Sequence, residues 1–521
     1  MLTPNGQCAN RIEKVMLLAL WANALKDGEI ELDEPLKNHQ LILAGIGKPT
    51  YPINARTIES YLSYWNNMDV LTKEWRLNPE KNLGGIAVDY GDPRGDIKPL
   101  KLMAESMSAW YESEIKAENI LFTVGGIGAL RVLFETFNTH YEDMPGYRII
   151  TPFPHYSAYS NNPMHRLHPI DVMKEQGYKL TARAMEEAIK EAYALAEADH
   201  GWPKAVLMCN PSNPLGTVID EVELKKIADV LRDYPELYII FDEAYTEMSY
   251  IEMPSFLKLA PDLKNRVIIM RSATKALSAA GERMAVLLVF DKFLMSELLN
   301  KNISYFIHAP RSAQIAYAQT MAQFDLTERN NLAAYYKKKI DYVIGRLDAM
   351  GASMPDCKYR VDATFYALGD FSDLFGLDLP IDAQQALQKT GKITSGEDLA
   401  YYLLFNDAVM ITPLSYFGLA KDCGFMRITC SGNEDELHEL MDRLEYRLFS
   451  ARKNRKKVLL EQINLILPEL KKSDAVLHEA MLKQITQFSV VEDSCFTLKA
   501  NNHALTKLYS VLIDLLEVCT F

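Results

Sequence analysis

Two small hydroxyl residues stand three and one positions before Lys275 in the segment Ser272-Ala273-Thr274-Lys275, and Arg283 stands eight after it. Hydroxyls and a planar guanidinium are donors that suit a phosphate. A lysine amine that can lose its proton, through burial or a cationic neighbour, can form a Schiff base. The segment directly follows the apolar run Val267 to Met270, so the lysine sits where a strand opens into a loop. On spacing alone, an ordinary surface lysine beside a loop carries equal weight.

Other chemistry-bearing residues follow apolar runs in the same way. Asn210-Pro211-Ser212-Asn213-Pro214-Leu215-Gly216-Thr217 comes after Ala205–Met208, and Asp242-Glu243-Ala244-Tyr245 closes the run Leu237–Phe241. A carboxylate at a strand end can hold a protonated ring nitrogen by raising its pKa. Gly125-Gly126-Ile127-Gly128 joins Ile120–Phe122 to a helical pattern. Backbone N–H groups at a helix start bind phosphate, and glycine permits close approach. Taken singly, these segments are a Pro/Asn turn, a capping carboxylate and a weak glycine cluster. Pro154-His155-Tyr156-Ser157-Ala158-Tyr159 and Tyr90-Gly91-Asp92-Pro93-Arg94-Gly95 place aromatic rings beside turns, which alone reads as core packing. Ile46-Gly47-Lys48-Pro49 lies early in the chain and Arg427 late, in Gly424-Phe425-Met426-Arg427-Ile428-Thr429. An arginine fork can bind and orient a carboxylate.

The elements that must position these residues are legible as apolar runs. Arg148–Thr151, Ala205–Met208, Leu237–Phe241, Val267–Met270 and Ala285–Val289 read as buried strands, separated by helical patterns such as Glu221 to Leu231. Strands apolar throughout and alternating with helices imply a largely parallel sheet covered on both faces. Ligands bind beyond the carboxyl ends of such strands. Residues 451–521 differ: a basic run, Arg452-Lys453-Asn454-Arg455-Lys456-Lys457, precedes Leu459, Leu460, Ile463, Ile466 and Leu467 at helical spacing. The run reads as a solvated helix face, and the apolar stripe as packing on the body or on another subunit.

At 521 residues the chain exceeds one compact core, so two or more domains are expected. Its net charge of −13 argues against nucleic acid or an anionic membrane as the main partner. The seven cysteines form no CxxC pair and no cluster with histidine, which argues against a disulfide framework or a metal site and for a cytoplasmic setting. The apolar run Val15–Leu20 is too short to span a bilayer and reads as a buried amphipathic helix.

In their order, these segments resemble the class I and II aminotransferases, the fold-type-I pyridoxal-phosphate (PLP) enzymes, over roughly residues 40–450. The resemblance implies an α/β fold: a large domain with a mostly parallel central sheet flanked by helices, plus a smaller α/β domain. It places the large PLP-binding domain at 81–325 and the small domain at 326–450, with residues 1–80 contributing to the latter. Residues 451–521 would be a helical extension outside the catalytic fold. It makes Lys275 the Schiff-base lysine and catalytic proton carrier, with Asp242 facing the pyridine nitrogen and Asn213 and Tyr245 facing the phenolic oxygen. Ser272, Thr274, Arg283, Gly126 and Ile127 would hold the phosphate, and Tyr156 would stack on the ring. Tyr90 would reach the phosphate of a second protomer in a homodimer with shared active sites. Gly47 would lie over the substrate and Arg427 would grip its α-carboxylate.

The implied reaction moves an amino group between an L-amino acid and a 2-keto acid. β-Elimination (a C–S lyase) or amino-acid decarboxylation on the same scaffold is the alternative, because the motifs do not dictate which bond breaks. Leu215 stands where the family usually has threonine, Gly126 where it often has a hydroxyl, and Leu414 and Ala363 where it usually has glycine. Tyr305, Phe306 and His308 would form a mixed wall at the substrate's distal end. Arg311 lies nearby but away from the family's aspartate-binding arginine, so the donor is expected not to be strictly acidic.

Overall fold

Each apolar run read as a strand forms one. Seven strands make a single sheet in the order Ile120–Val124, Met284–Val289, Val267–Ser272, Tyr238–Asp242, Pro203–Cys209, Tyr147–Phe153 and His165–Asp171. Met284–Val289 runs antiparallel to both neighbours, and the other six strands share one direction. Six carboxyl ends therefore open on one edge, and the antiparallel strand starts from it. The computed structural model describes residues 3–4, 13–30, 40–80, 87–139, 147–161, 165–473, 475–492, 497 and 503–519.

The chain divides into two units, one of Gly47–Ile340 and Asp356–Tyr366, the other of Met1–Ile46, Asp341–Pro355 and Ala367–Phe521. The sheet belongs to the first. One of its faces is covered by the helices Gly125–Thr139 and Lys292–Phe306. Leu130, Leu133 and Phe137 of the former and Leu294 and Leu298 of the latter pack on Leu121, Ile149, Leu207, Ile240, Ile268 and Leu287. Alternation along a strand puts Asp242 and Ser272 on this same face and Glu243 and Arg271 on the other. The fold is thus α/β, with a mostly parallel central sheet flanked by helices.

In the second unit, Ile42–Leu43 pairs in parallel with Val409–Met410, and Phe425–Thr429 pairs antiparallel with Thr412–Pro413. The run at Val15–Leu20 lies in the helix Lys14–Lys26, which buries Leu17, Leu18, Ala19, Ala22, Ala24 and Leu25, as expected. No described helix is long and apolar enough to cross a membrane.

The helix Glu434–Ser473 runs unbroken through residue 450. Its stripe, centred on Ile463, Leu467 and Leu470, packs on Ile485 of the helix Ala475–Ser489 and on Leu505, Leu508 and Leu512 of the helix His503–Cys519. The stripe's partner is thus the chain's own last two helices. The basic run corrects its sequence reading as a solvated face. Lys453 and Lys457 are exposed, but Arg452 and Lys456 are buried. Arg452 donates from Nε to Asp373 Oδ2 (2.7 Å), from Nη1 to Met350 O (2.6 Å) and from Nη2 to Gly351 O (3.1 Å). Its charge thus meets the last carbonyls after the helix Leu326–Ala349, where cations are favourable. Arg455 donates to the carbonyls of Asp373 and Phe375, and Lys456 to that of Val491.

Breaking a buried, hydrogen-bonded ion pair costs about 3–5 kcal/mol, whereas an exposed pair contributes about 0–1 kcal/mol. Arg452→Leu should therefore lower the urea midpoint substantially, by a loss of about 3–5 kcal/mol. Lys457→Ala, which removes an exposed 3.9 Å pairing with Glu461, should leave the midpoint nearly unchanged. Equal midpoints for the two variants would show that the basic run is a solvated face after all.

Candidate active site

The residues singled out around Lys275 collect at the common edge of the sheet. Lys275 leaves the Val267–Ser272 strand, Asp242 ends the next, Asn213 follows Pro203–Cys209, and Tyr156 follows Tyr147–Phe153. Gly125 opens a helix directly at the end of Ile120–Val124, and Arg283 immediately precedes the antiparallel strand. Arg427 belongs to the other unit.

At the helix start, Gly125 has φ +70°, and its N–H donates to Arg283 O (3.0 Å). A Cβ at Gly125 would lie 2.3 Å from Arg283 Nη2, so a larger residue there would displace the guanidinium. The first N–H groups of a helix, among them those of Gly126 and Ile127, have no intrahelical acceptor and carry the positive end of its dipole. Ser272 and Thr274 place their hydroxyls 2.6 Å apart on the neighbouring loop. The Gly126 Cα lies close enough that a Cβ would be 3.3 Å from Met270 and 3.9 Å from Ser272 Cβ. A guanidinium set against a helix N-terminus repels it unless an anion lies between them. Arg283, the helix start and the two hydroxyls are thus donors of the kind that suits an anion.

Asp242 is 3% exposed. Its Oδ2 accepts from Tyr159 Oη (2.6 Å) and its Oδ1 from the Ala244 N–H (3.2 Å). It forms no ion pair among the described residues, and burial pushes its pKa above the usual carboxylate value despite those two donors. Tyr159 stays protonated, because burial and the nearby Asp242 push its phenol up. Tyr156, half-buried, meets the Tyr159 ring edge-on, with centroids 5.6 Å apart.

Lys275 Nζ donates to Gly47 O and lies 6.0 Å from the Phe365 ring centroid. Asn213 is buried, with Nδ2 3.5 Å from Tyr245 Oη, which in turn lies 2.9 Å from Tyr366 Oη. Leu215, the departure next to Asn213, is itself buried in the core, and its carbonyl accepts from Tyr359 Oη (2.6 Å). Tyr90 is 76% exposed and touches His308 edge-on. Arg311, weighed as a distal clamp, donates from Nε to Asp96 Oδ2 at 2.7 Å. In its own unit, Arg427 is buried, lies 4.6 Å over the Phe417 ring, and donates from Nη2 to Gly45 O (2.8 Å). These contacts fix the plane of the guanidinium.

Sequence reasoning missed three residues here. Tyr366 joins the Asn213–Tyr245 pair and is not singled out by the sequence, and Tyr159 holds Asp242 and stands only within the Pro154–Tyr159 segment. Arg271 had no signal beyond an arginine interrupting an apolar run. It is fully buried on the opposite face of the sheet, bonded through Nη2 to Glu247 Oε1 (2.6 Å) and through Nη1 to Tyr111 Oη (2.9 Å). Tyr111 Oη donates to Glu243 Oε2 (2.5 Å), and the Arg271 guanidinium lies 4.6 Å over the Trp110 ring. Burial raises the pKa of Glu243, and Arg271 opposes the shift. One cation thus serves two buried acids directly behind Asp242 and Ser272.

The family described as aminotransferase class I and II matches residues 60–444. An aspartate aminotransferase of Rhizobium meliloti is 26% identical over 326 residues, which span 61% of this chain and 72% of that one. The crystal structure of the aspartate aminotransferase from Rhizobium meliloti superposes with a TM-score of 0.66 at 19% identity, covering 84% of this chain and 97% of that one. An aminotransferase from Mycobacterium tuberculosis gives a TM-score of 0.64 at 20% identity, covering 86% and 99%.

Arg271→Met would leave Glu243 and Glu247 buried without their cation, at a cost of about 3–5 kcal/mol near neutral pH. The sign with pH follows from the acids. Losing the cation raises the folded-state pKa of Glu243 further, so this part of the penalty is present above that pKa and disappears as Glu243 protonates below it. Urea titrations should show the variant's deficit narrowing from pH 8 to pH 5. A deficit that is constant across this range would mean that lost packing, and not lost charge, is responsible.

Proposed function

The chain belongs to the class I and II aminotransferases, and we propose from that premise that Lys275 holds PLP and carries the proton in transamination. The observation that carries the reading is a pair of opposite charges. Arg283 and the helix start at Gly125 call for an anion, and the buried Asp242 lacks a cation among the described residues. PLP has a phosphate at one end and a ring nitrogen that can be protonated at the other, so this donor set fits it. Arg283, Ser272, Thr274 and the N–H groups of Gly126 and Ile127 would take the phosphate. Asp242 would take the ring nitrogen, Asn213 and Tyr245 the phenolic oxygen, and Tyr156 the ring face.

When bound, the cofactor supplies an electron sink for charge that develops at the substrate's α-carbon. The protein's part is to hold and move protons. Asp242, kept in place by Tyr159, keeps the ring nitrogen charged. Lys275, as the residue that would hold the cofactor, would take the substrate's α-proton at Nζ once its amine is free and would later give that proton up. Such positioned acid–base transfer contributes about 10²–10⁴-fold. Arg427 takes the α-carboxylate of the amino acid or 2-keto acid, a role supported by the fixed plane of its guanidinium. The exposure of Tyr90 supports a homodimer in which Tyr90 serves the second protomer's phosphate. The free cysteines among the described residues support a cytoplasmic setting.

Borohydride reduction of the PLP-loaded protein, followed by peptide mapping, tests the central claim. The label should map to Lys275. Lys275→Ala should keep PLP by its phosphate contacts but take no label, with turnover reduced at least about 10²–10⁴-fold. Labelling of another lysine in the parent would overturn the assignment.

On the donor, several relatives are named for aspartate, but here Arg311 is engaged with Asp96. A carboxylate buried without a cationic partner costs several kcal/mol. We therefore read the donor as not strictly an acidic amino acid. A donor screen with one fixed keto acid should show less than about a hundredfold preference for aspartate over neutral and aromatic donors, or under about 2.7 kcal/mol. A larger preference that Arg311→Ala abolishes would show that Arg311 is the distal clamp.

A further inference from the structure

We propose that Tyr366 is a positioning residue for the reaction, acting through the Tyr245 hydroxyl, and that residue 47 is glycine to admit the Tyr366 hydroxyl. The proposal rests on the reading above, in which Tyr245 meets the phenolic oxygen of PLP and Lys275 carries the cofactor.

Tyr366 is 1% exposed and is held in an apolar cluster with Met248, Leu332, Tyr336 and Phe365. Its ring meets that of Tyr245 edge-on, with centroids 5.7 Å apart, and the two hydroxyl oxygens are 2.9 Å apart. A Cβ built on Gly47 would lie 2.1 Å from Tyr366 Oη, 3.1 Å from its Cζ and 3.4 Å from Lys275 Nζ. Gly47 is not among the positive-φ glycines, so its backbone does not require glycine. The space does. The same residue's carbonyl accepts from Lys275 Nζ. The Tyr366 hydroxyl and the lysine amine therefore meet at one glycine, and the Tyr245 hydroxyl lies next to the former.

The direction of the Tyr245–Tyr366 bond follows from proton counting. A phenol has one proton to donate. If Tyr245 gives its proton to the phenolic oxygen of the cofactor, its own oxygen must accept, and Tyr366 is the donor 2.9 Å away. Hydrogen bonds in such a chain polarise one another, so Tyr245 becomes a stronger donor. That stabilises negative charge on the phenolic oxygen and weakens its hold on the proton shared with the nitrogen that links Lys275 to the cofactor. Without Tyr366, that nitrogen should keep its proton to higher pH.

The test is a pH titration of the visible absorbance of the PLP-loaded protein in four forms: parent, Tyr366→Phe, Gly47→Ala and the double variant. Tyr366→Phe should bind PLP and raise the midpoint by about 0.5–1 pH unit, the size expected for one lost hydrogen bond. Gly47→Ala, whose Cβ displaces the Tyr366 hydroxyl, should raise the midpoint in the same direction. Adding Gly47→Ala to Tyr366→Phe should move it little further, because the displaced hydroxyl is already gone. An unmoved midpoint in Tyr366→Phe, or fully additive shifts in the double variant, would overturn the proposal. If Tyr366→Phe does not fold, Gly47→Ala decides alone: an unmoved midpoint there overturns it. Borohydride labelling of Lys275 in the parent separates the two readings. Failure of labelling refutes the role of Lys275, and successful labelling with unmoved midpoints refutes only the role of Tyr366.

Discussion

Ile239 pairs with Val267 and Asp242 with Met270 in parallel register, and the ladder continues one residue further through the Glu243 N–H to Met270 O, at 2.9 Å. Because parallel strands share a direction, everything that follows their last residues emerges on one side. Lys275, Asp242, Asn213 and Tyr156 follow four different strand ends and lie at one edge of the sheet for that reason. The single antiparallel strand adds Arg283 to the same edge, because it must begin where the others end.

The same register separates two electrostatic tasks. Asp242 and Ser272 point to the face covered by the Gly125–Thr139 helix, and Glu243 and Arg271 point to the other. On the first face, a guanidinium stands against a helix start, and a buried carboxylate stands without a cation among the described residues. On the second, charge is paired within the chain, with Arg271 between Glu247 and, through Tyr111, Glu243. Charge without a partner among the described residues is what the proposed cofactor site would use, and paired charge on the other face ties together the segments that carry it. The two acids of the Asp242-Glu243 pair differ in role because successive side chains leave a strand on opposite faces.

Close approach is the second recurring constraint. Gly125 gives way to Arg283, and Gly47 gives way to Tyr366. In both places a missing Cβ lets a polar group from a remote segment reach the functional edge. In the other unit, Arg452 follows the same economy of space. It fills a buried position, yet each of its nitrogens finds an acceptor on Asp373, Met350 or Gly351. A buried arginine is tolerable under that condition and costly without it.

Strand positions, their parallel arrangement and the identity of the edge residues were legible in the sequence. Strand cores are continuous apolar runs, and the motifs follow them directly. Asn213, Asp242 and Lys275 could be placed at that edge because each is local: a strand end plus a few residues of turn. Tyr366, Tyr159 and Arg271 could not be ranked that way. Their meaning lies in partners 121, 83 and 24 residues distant in the chain. The basic run at 452–457 misled for the same reason. Charge pattern predicts solvation only when no acceptors lie close by, and the carbonyls at 350, 351, 373, 375 and 491 are brought there by folding. Local sequence determined which residues could do chemistry and at which edge. The tertiary structure alone decided which of them are buried against a partner, because burial and pairing depend on what the chain brings back from far away.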